Sequence, residues 1–279
     1  MLWTENSVAP YRYRRGGSAL VVSMPHVGTY IPRGVVRNLD DCAARRPDTD
    51  WHLPRLYDFL EALDATVVVA THSRYYIDVN RPPDGANLYP GQDTPRLCPV
   101  DTFDSRPLYR GASPTDAEIQ ERLAKVWRPY HARLEREIAR VRAEHGRVVL
   151  WDAHSIVSHV PRLFPGRLPD LNLGTAGGTS CDRGLADALI RAVKRHAGFT
   201  SVLNGRFKGG YITRRFGDPA AGVHAVQLEM ACSTYMEEAS PFTFRRDRAE
   251  RVRPVLRELL EIAAAWDGAT SSTAAGNAR

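Results

Sequence analysis

Lysine is scarce in this chain. Lys125, Lys194 and Lys208 are the only three in 279 residues, so arginine carries nearly all of the positive charge behind a net +6. The arginines are scattered, with no long basic run and no basic stripe interleaved with aromatics, so nucleic acid is not expected as a partner. A genome-wide preference for arginine codons is one explanation of the bias. An anionic small substrate is the second explanation, since a guanidinium fork grips a carboxylate at two points. Cysteine is also sparse. Cys42, Cys98, Cys181 and Cys232 form no C-x-x-C pair, and none has a histidine at zinc-finger spacing, which excludes those motifs and leaves reduced thiols. No apolar run approaches membrane-spanning length and the start of the chain lacks an apolar signal core, so no membrane partner and a cytoplasmic location are expected. Neither G-x-x-x-x-G-K-S/T nor G-x-G-x-x-G occurs in a suitable setting, which leaves no nucleotide motif. No internal repeat or linker divides the chain, and oligomeric state is not legible.

Four apolar runs are present: Ala19–Met24, Thr66–Thr71, Arg147–Asp152 and Val223–Met230. Their length and β-branched content predict strands buried in a mostly parallel sheet, an α/β arrangement. The clearest helix is expected from about Pro114 to Glu144. Ser113 is its N-cap, Pro114 lies in the first turn, Asp116 takes the capping-box position and Gly146 stops it. Pro129 predicts a kink or break within that span. Further helices are expected at about Trp51–Leu63, Asp182–Ala197 and Arg245–Trp266. Arg81–Ala112 and Pro161–Thr179 show no clear period and are expected to be long functional loops. Residues 268–279 are poor in bulky side chains and predict a flexible tail behind a domain of residues 1–267.

Several polar residues sit where packing alone would not choose them. His26 follows the first run, His154 follows the third, and Glu229 lies among Val226, Leu228 and Met230 in the fourth. The segment Asp48-Thr49-Asp50-Trp51-His52 opens a helix pattern soon after the first run. Sites in open α/β sheets gather at the carboxyl ends of parallel strands, so these positions can converge. Two histidines and a carboxylate make a common catalytic zinc set, with one position left for water and a nearby glutamate to deprotonate it. Each residue alone also has a structural reading, as a cap, a helix-terminal charge or a buried ion pair. Asn80-Arg81 can hold a carboxylate by a fork and an amide. Asn204–Arg215 gathers Arg206, Lys208, Arg214 and Arg215 among Gly205, Gly209 and Gly210, which permit tight turns close to a ligand.

The stretches SMPHVGTYIP, DTDWHLPRLYDF, SRYYIDVNRPPDGANLYPGQ, PLYRG, WDAHSIVSHVPRLFPGRLPDLNLGT, NGRFKGGYITRRFG and VHAVQLEMACSTYM occur in this order between about Trp3 and Ala265. In these the chain resembles the N-formylglutamate amidohydrolases of histidine degradation. The resemblance implies a single α/β domain, similar to the zinc carboxypeptidases, with a central mixed, largely parallel sheet flanked by helices. It implies hydrolysis of N-formyl-L-glutamate to formate and L-glutamate, with zinc or a similar divalent metal bound once per chain. It also implies an order of roles: zinc histidine, zinc carboxylate, Asn-Arg clamp, second zinc histidine, catalytic glutamate. His26, Asp50, Asn80-Arg81, His154 and Glu229 follow that order. The carboxypeptidases take their first two ligands from His-x-x-Glu, whereas position 29 here is Thr, so the carboxylate comes from elsewhere. Asp50 is assigned, with Asp48 and His52 as alternatives. Arg81, Arg206, Arg214 and Arg215 are the candidates for the two substrate carboxylates. The alternative functions are hydrolysis of another N-acyl acidic amino acid and non-catalytic binding of anionic metabolites.

Overall fold

The computed structural model of the chain describes residues 8–88, 91 and 93–268. Seven strands form one mixed sheet: β1 (Tyr11–Arg14), β2 (Leu20–Met24), β3 (Thr66–Ala70), β4 (Val148–Ile156), β5 (Leu171–Gly174), β6 (Ser201–Leu203) and β7 (Val223–Ala231). The spatial order is β1-β3-β2-β4-β7-β5-β6. The four central strands, β3, β2, β4 and β7, are parallel, and they grow from the four apolar runs. β1 and β5 pair antiparallel with β3 and β7.

The central runs are continuously apolar because both sheet faces are covered. Leu20, Val22, Met24, Trp151, Val226 and Leu228 face one core, shared with the helices Arg183–Arg195 and Arg246–Ala265. Val21, Val68, Leu150 and Ala225 alternate onto the other face, against Leu123, Tyr130, Leu134, Ile138 and Val141. The result is a single α/β domain of helix, sheet and helix layers. Among the described residues no helix is long and apolar enough to cross a membrane. All four cysteines are free thiols.

Several expectations need correction. The long helix starts two residues later: Thr115, not Ser113, is the N-cap, in a capping box with Glu118. Near Pro129 the helix is locally interrupted but not ended. A π-turn at Leu123–Trp127 precedes Pro129 and absorbs the hydrogen bond that the proline ring cannot make, and the helix continues over Arg128–His145 to Gly146. Trp51–Leu63 is not one helix but a turn at Leu53–Leu56 and a 3₁₀ turn at Asp58–Leu60, because His52 has a left-handed φ of 63° before the first and Tyr57 leaves the helical region between them, at φ −92° and ψ 35°. Pro161–Thr179 is not all loop, since it contains β5. β1, β5 and β6 are only three or four residues long, too short to show a period. β4 runs four residues beyond Asp152, so His154 lies within a strand rather than after one. The expected tail falls, apart from Gly268, outside the described residues.

Candidate metal centre and active site

β2 leads directly to Pro25 and His26 at the carboxyl edge of the sheet. The His26 carbonyl accepts the backbone N–H of Asp50 at 3.0 Å, which pins the Asp48–Trp51 turn against it. Next to β2, β4 pairs with β7 so that Asp152 lies opposite Gln227 and His154 opposite Glu229. The period of two puts these four polar side chains on one face of adjacent parallel strands. β2 is followed by β3 on one side and β4 lies on the other, so the order of the chain reverses between β2 and β4. Such a reversal opens a crevice at the strand ends.

Three buried side chains meet there. His26 Nδ1 lies 3.1 Å from His154 Nδ1, His154 Nδ1 lies 3.2 Å from Asp50 Oδ2, and His26 Nδ1 lies 3.7 Å from the same oxygen. The far ring nitrogens each meet another buried carboxylate: His26 Nε2 is 2.6 Å from Asp78 Oδ1, and His154 Nε2 is 3.1 Å from Asp152 Oδ2. With those Nε2–H groups donated outward, both Nδ1 atoms turn lone pairs toward a carboxylate oxygen. Histidine ligands backed by carboxylates are the common arrangement around zinc. Zn–N and Zn–O bonds of about 2.0–2.1 Å give tetrahedral edges of about 3.3–3.4 Å, and the observed triangle brackets that length. The residues present therefore fit a divalent metal. Arg74 lies on the same ring, with Nη2 2.9 Å from His26 Nε2 and also in contact with Nδ1.

The electrostatics agree with this geometry. Burial, reinforced by Arg74, lowers the His26 pKa to about 4 and keeps the imidazole neutral, the form that binds metal. Burial also opposes charge on His154, but Asp152 and Asp50 outweigh it and hold that pKa well above the ordinary value. The carboxylates around His154 thus demand a positive charge at this spot, which a proton or a metal cation supplies. Burial pushes Glu229 up to about 8, against the pull of His154 and Arg74.

A cavity opens on the cluster, lined by His26, His154 and Glu229, by the cationic Arg74, Arg81 and Arg206, and by Phe103 and Phe207 among others. The sequence profile of the N-formylglutamate amidohydrolases matches residues 18–236. The chain belongs to that family. It is 52% identical over 255 residues to the N-formylglutamate deformylase of Pseudomonas aeruginosa, covering 91% of this chain and 96% of that protein. It is 50% identical over 255 residues to the N-formylglutamate deformylase of Pseudomonas putida, covering 91% and 95%. The crystal structure of an N-formylglutamate amidohydrolase from Ralstonia eutropha JMP134 superposes with a TM-score of 0.79 at 27% identity, covering 92% of this chain and 98% of that one.

In this amidohydrolase family member, His26, Asp50 and His154 cluster, and His26, Asn80, Arg81, His154, Arg206 and Glu229 line the cavity. Of the three alternatives for the carboxylate position, Asp50 joins the histidines. Asp48 instead accepts the N–H of Phe103 at 2.9 Å, and His52 donates to the Phe242 carbonyl at 2.7 Å. Burial pushes Asp48 up to about 6. Arg214 and Arg215 are not brought to the cavity. They lie on the helix Tyr211–Phe216, where Arg214 donates to the Gly209 carbonyl at 3.0 Å and exposed Arg215 pairs with Glu135 at 3.7 Å. Asn80 is present, but its amide is engaged within the protein: Nδ2 faces Asp152 and His154, and Oδ1 accepts the Ile212 N–H.

Sequence reasoning gave no role to Arg74, Asp78, Asp152 or Gln227. Asp152 had a readable signal, as a charge in an apolar run two residues before His154 and so on the same strand face. Asp78, between Ile77 and Val79, had the same kind of signal.

Proposed function

We propose that this family member hydrolyses N-formyl-L-glutamate to formate and L-glutamate, the last step of a histidine degradation route in the cytoplasm. A divalent metal, zinc by the chemistry of the donor set, would be held by His26, Asp50 and His154. The observation that supports this most is the triangle of two histidine Nδ1 atoms and Asp50 Oδ2, backed by Asp78 and Asp152 and placed beside Glu229. The substrate follows from the relatives named above.

Held by His26, Asp50 and His154, a divalent metal would supply Lewis acidity for the formyl oxygen and would lower the pKa of a water toward neutrality. Glu229 takes that water's proton as the water attacks the formyl carbon, then returns it to the nitrogen as the C–N bond breaks. Burial raises the proton affinity of Glu229 above that of an ordinary carboxylate, which favours its taking a proton. Arg81 and Arg206 hold the substrate carboxylates. This fixes the molecule by its charged end, because the formyl group itself offers little to grip.

Glu229→Gln tests the assignment. It preserves shape while removing the base, so kcat should fall about 10²–10⁴-fold with metal content and melting temperature kept. Near-wild-type kcat per folded chain would remove Glu229 from the mechanism.

A further inference from the structure

The glycine turn between β6 and the helix Tyr211–Phe216 meets two buried side-chain amides. The backbone N–H of Gly210 donates to Gln227 Oε1 at 2.7 Å, and that of Ile212 donates to Asn80 Oδ1 at 2.8 Å. A backbone N–H finds its acceptor in the oxygen of an amide, not the nitrogen, so each contact decides which end of the amide points where. Asn80 is thereby turned with its NH2 toward Asp152 Oδ2, at 3.3 Å. Gln227 is turned with its NH2 toward Glu229 Oε2, also at 3.3 Å. Gly210 has an ordinary φ of −79°, so its conformation does not demand glycine. Its contact with Asn80 does: a Cβ here would sit 2.4 Å from Asn80 Nδ2. The absence of a side chain brings the turn close enough to reach both amides.

We infer that Gln227 is a positioning residue for Glu229, oriented by the Gly210 N–H, and that its NH2 sets the rotation of the Glu229 carboxylate. Gln227 is buried and sits two residues before Glu229 on β7, on the same face. A carboxylate on a strand among apolar neighbours has few donors to choose between, and this one comes from a side chain whose other end is fixed by backbone. The inference rests on the reading of Glu229 as the base.

The test uses the metal-loaded full chain, with kcat and KM taken per metal-loaded folded molecule and melting temperature measured alongside. Gln227→Glu keeps the length and the oxygen that accepts from Gly210 but removes the donor to Glu229; Gln227→Met removes both. Both should lower kcat by about 10- to 100-fold with KM little changed, the loss appropriate to a hydrogen bond on a charged group. Gln227→Glu should melt closer to wild type than Gln227→Met. Added to Glu229→Gln, the Gln227→Met change should cost no further kcat, because its effect runs through Glu229. Wild-type kcat in Gln227→Glu, or a further full loss in the double variant, would overturn the inference. If Glu229→Gln abolishes turnover and the Gln227 variants do not affect it, the positioning role alone falls. If Glu229→Gln retains kcat, the base assignment falls and the positioning role with it.

Discussion

Asp152→Asn perturbs the proposed metal site without replacing a proposed ligand. Asp152 is fully buried, and its Oδ2 gathers three donors: His154 Nε2 at 3.1 Å, Asn80 Nδ2 at 3.3 Å and Thr213 Oγ1 at 3.4 Å. Asparagine can leave its oxygen at that position and keep all three bonds. Its NH2 then falls where Oδ1 now has no hydrogen-bond partner, a buried donor without an acceptor. Two losses follow. The negative charge that raises the basicity of His154 disappears, and removing such a supporting group typically weakens metal binding about 10- to 100-fold. The stranded NH2 costs about 1–3 kcal/mol of stability. Competition with a chromogenic chelator at fixed pH measures the first effect and denaturant unfolding the second. Asp78→Asn, behind His26, should shift metal affinity in the same direction. Unchanged metal affinity in both folded variants would refute the claim that the histidines present Nδ1 to a metal and Nε2 to these carboxylates.

Three further outcomes are expected. Arg81→Ala should raise KM for N-formylglutamate about 10- to 150-fold with metal content intact, as loss of a charge-assisted contact to a carboxylate does; an unchanged KM would remove Arg81 from substrate recognition. Arg215→Ala should leave kcat/KM within about twofold, because its exposed pair with Glu135 lies outside the cavity, and a large loss would show that the helix Tyr211–Phe216 reaches the substrate. Burial lowers the folded pKa of His131 to about 4 from an ordinary 6.5, so the unfolded chain takes the proton first as pH falls. Its contribution to stability is therefore whole above about pH 6.5 and is lost toward pH 4, on the order of 3 kcal/mol, and His131→Gln should flatten the acid arm of the stability curve; parallel curves would contradict this.

The central sheet was legible because β2, β3, β4 and β7 are buried on both faces, and continuous burial leaves continuous apolar runs. The edge strands were not. Tyr-Arg-Tyr-Arg in β1 and the three residues of β6 owe their conformation to the neighbours they pair with, which local pattern does not record. His26, His154 and Glu229 were legible as polar residues in or beside these runs, and Asp50 through the family resemblance and the Asp48–His52 segment. The positions of Arg214 and Arg215 were not. Arginines close together in sequence say nothing about which face of a helix they take, and this helix begins after a turn set by Gly209 and Gly210. Asn80 was expected to reach for substrate. Its burial and its contacts with Asp152 and Ile212 come from segments 72 and 132 residues away, far beyond any local signal.

The most direct measurement is formate release from N-formyl-L-glutamate by a single preparation assayed as purified, after stripping with a chelator, and after titration with zinc. The account predicts that activity disappears on stripping, returns in proportion to zinc and saturates near one metal per chain, and that His26→Ala and Asp50→Ala chains do not recover it. Full activity in rigorously metal-free protein would contradict the account at its centre.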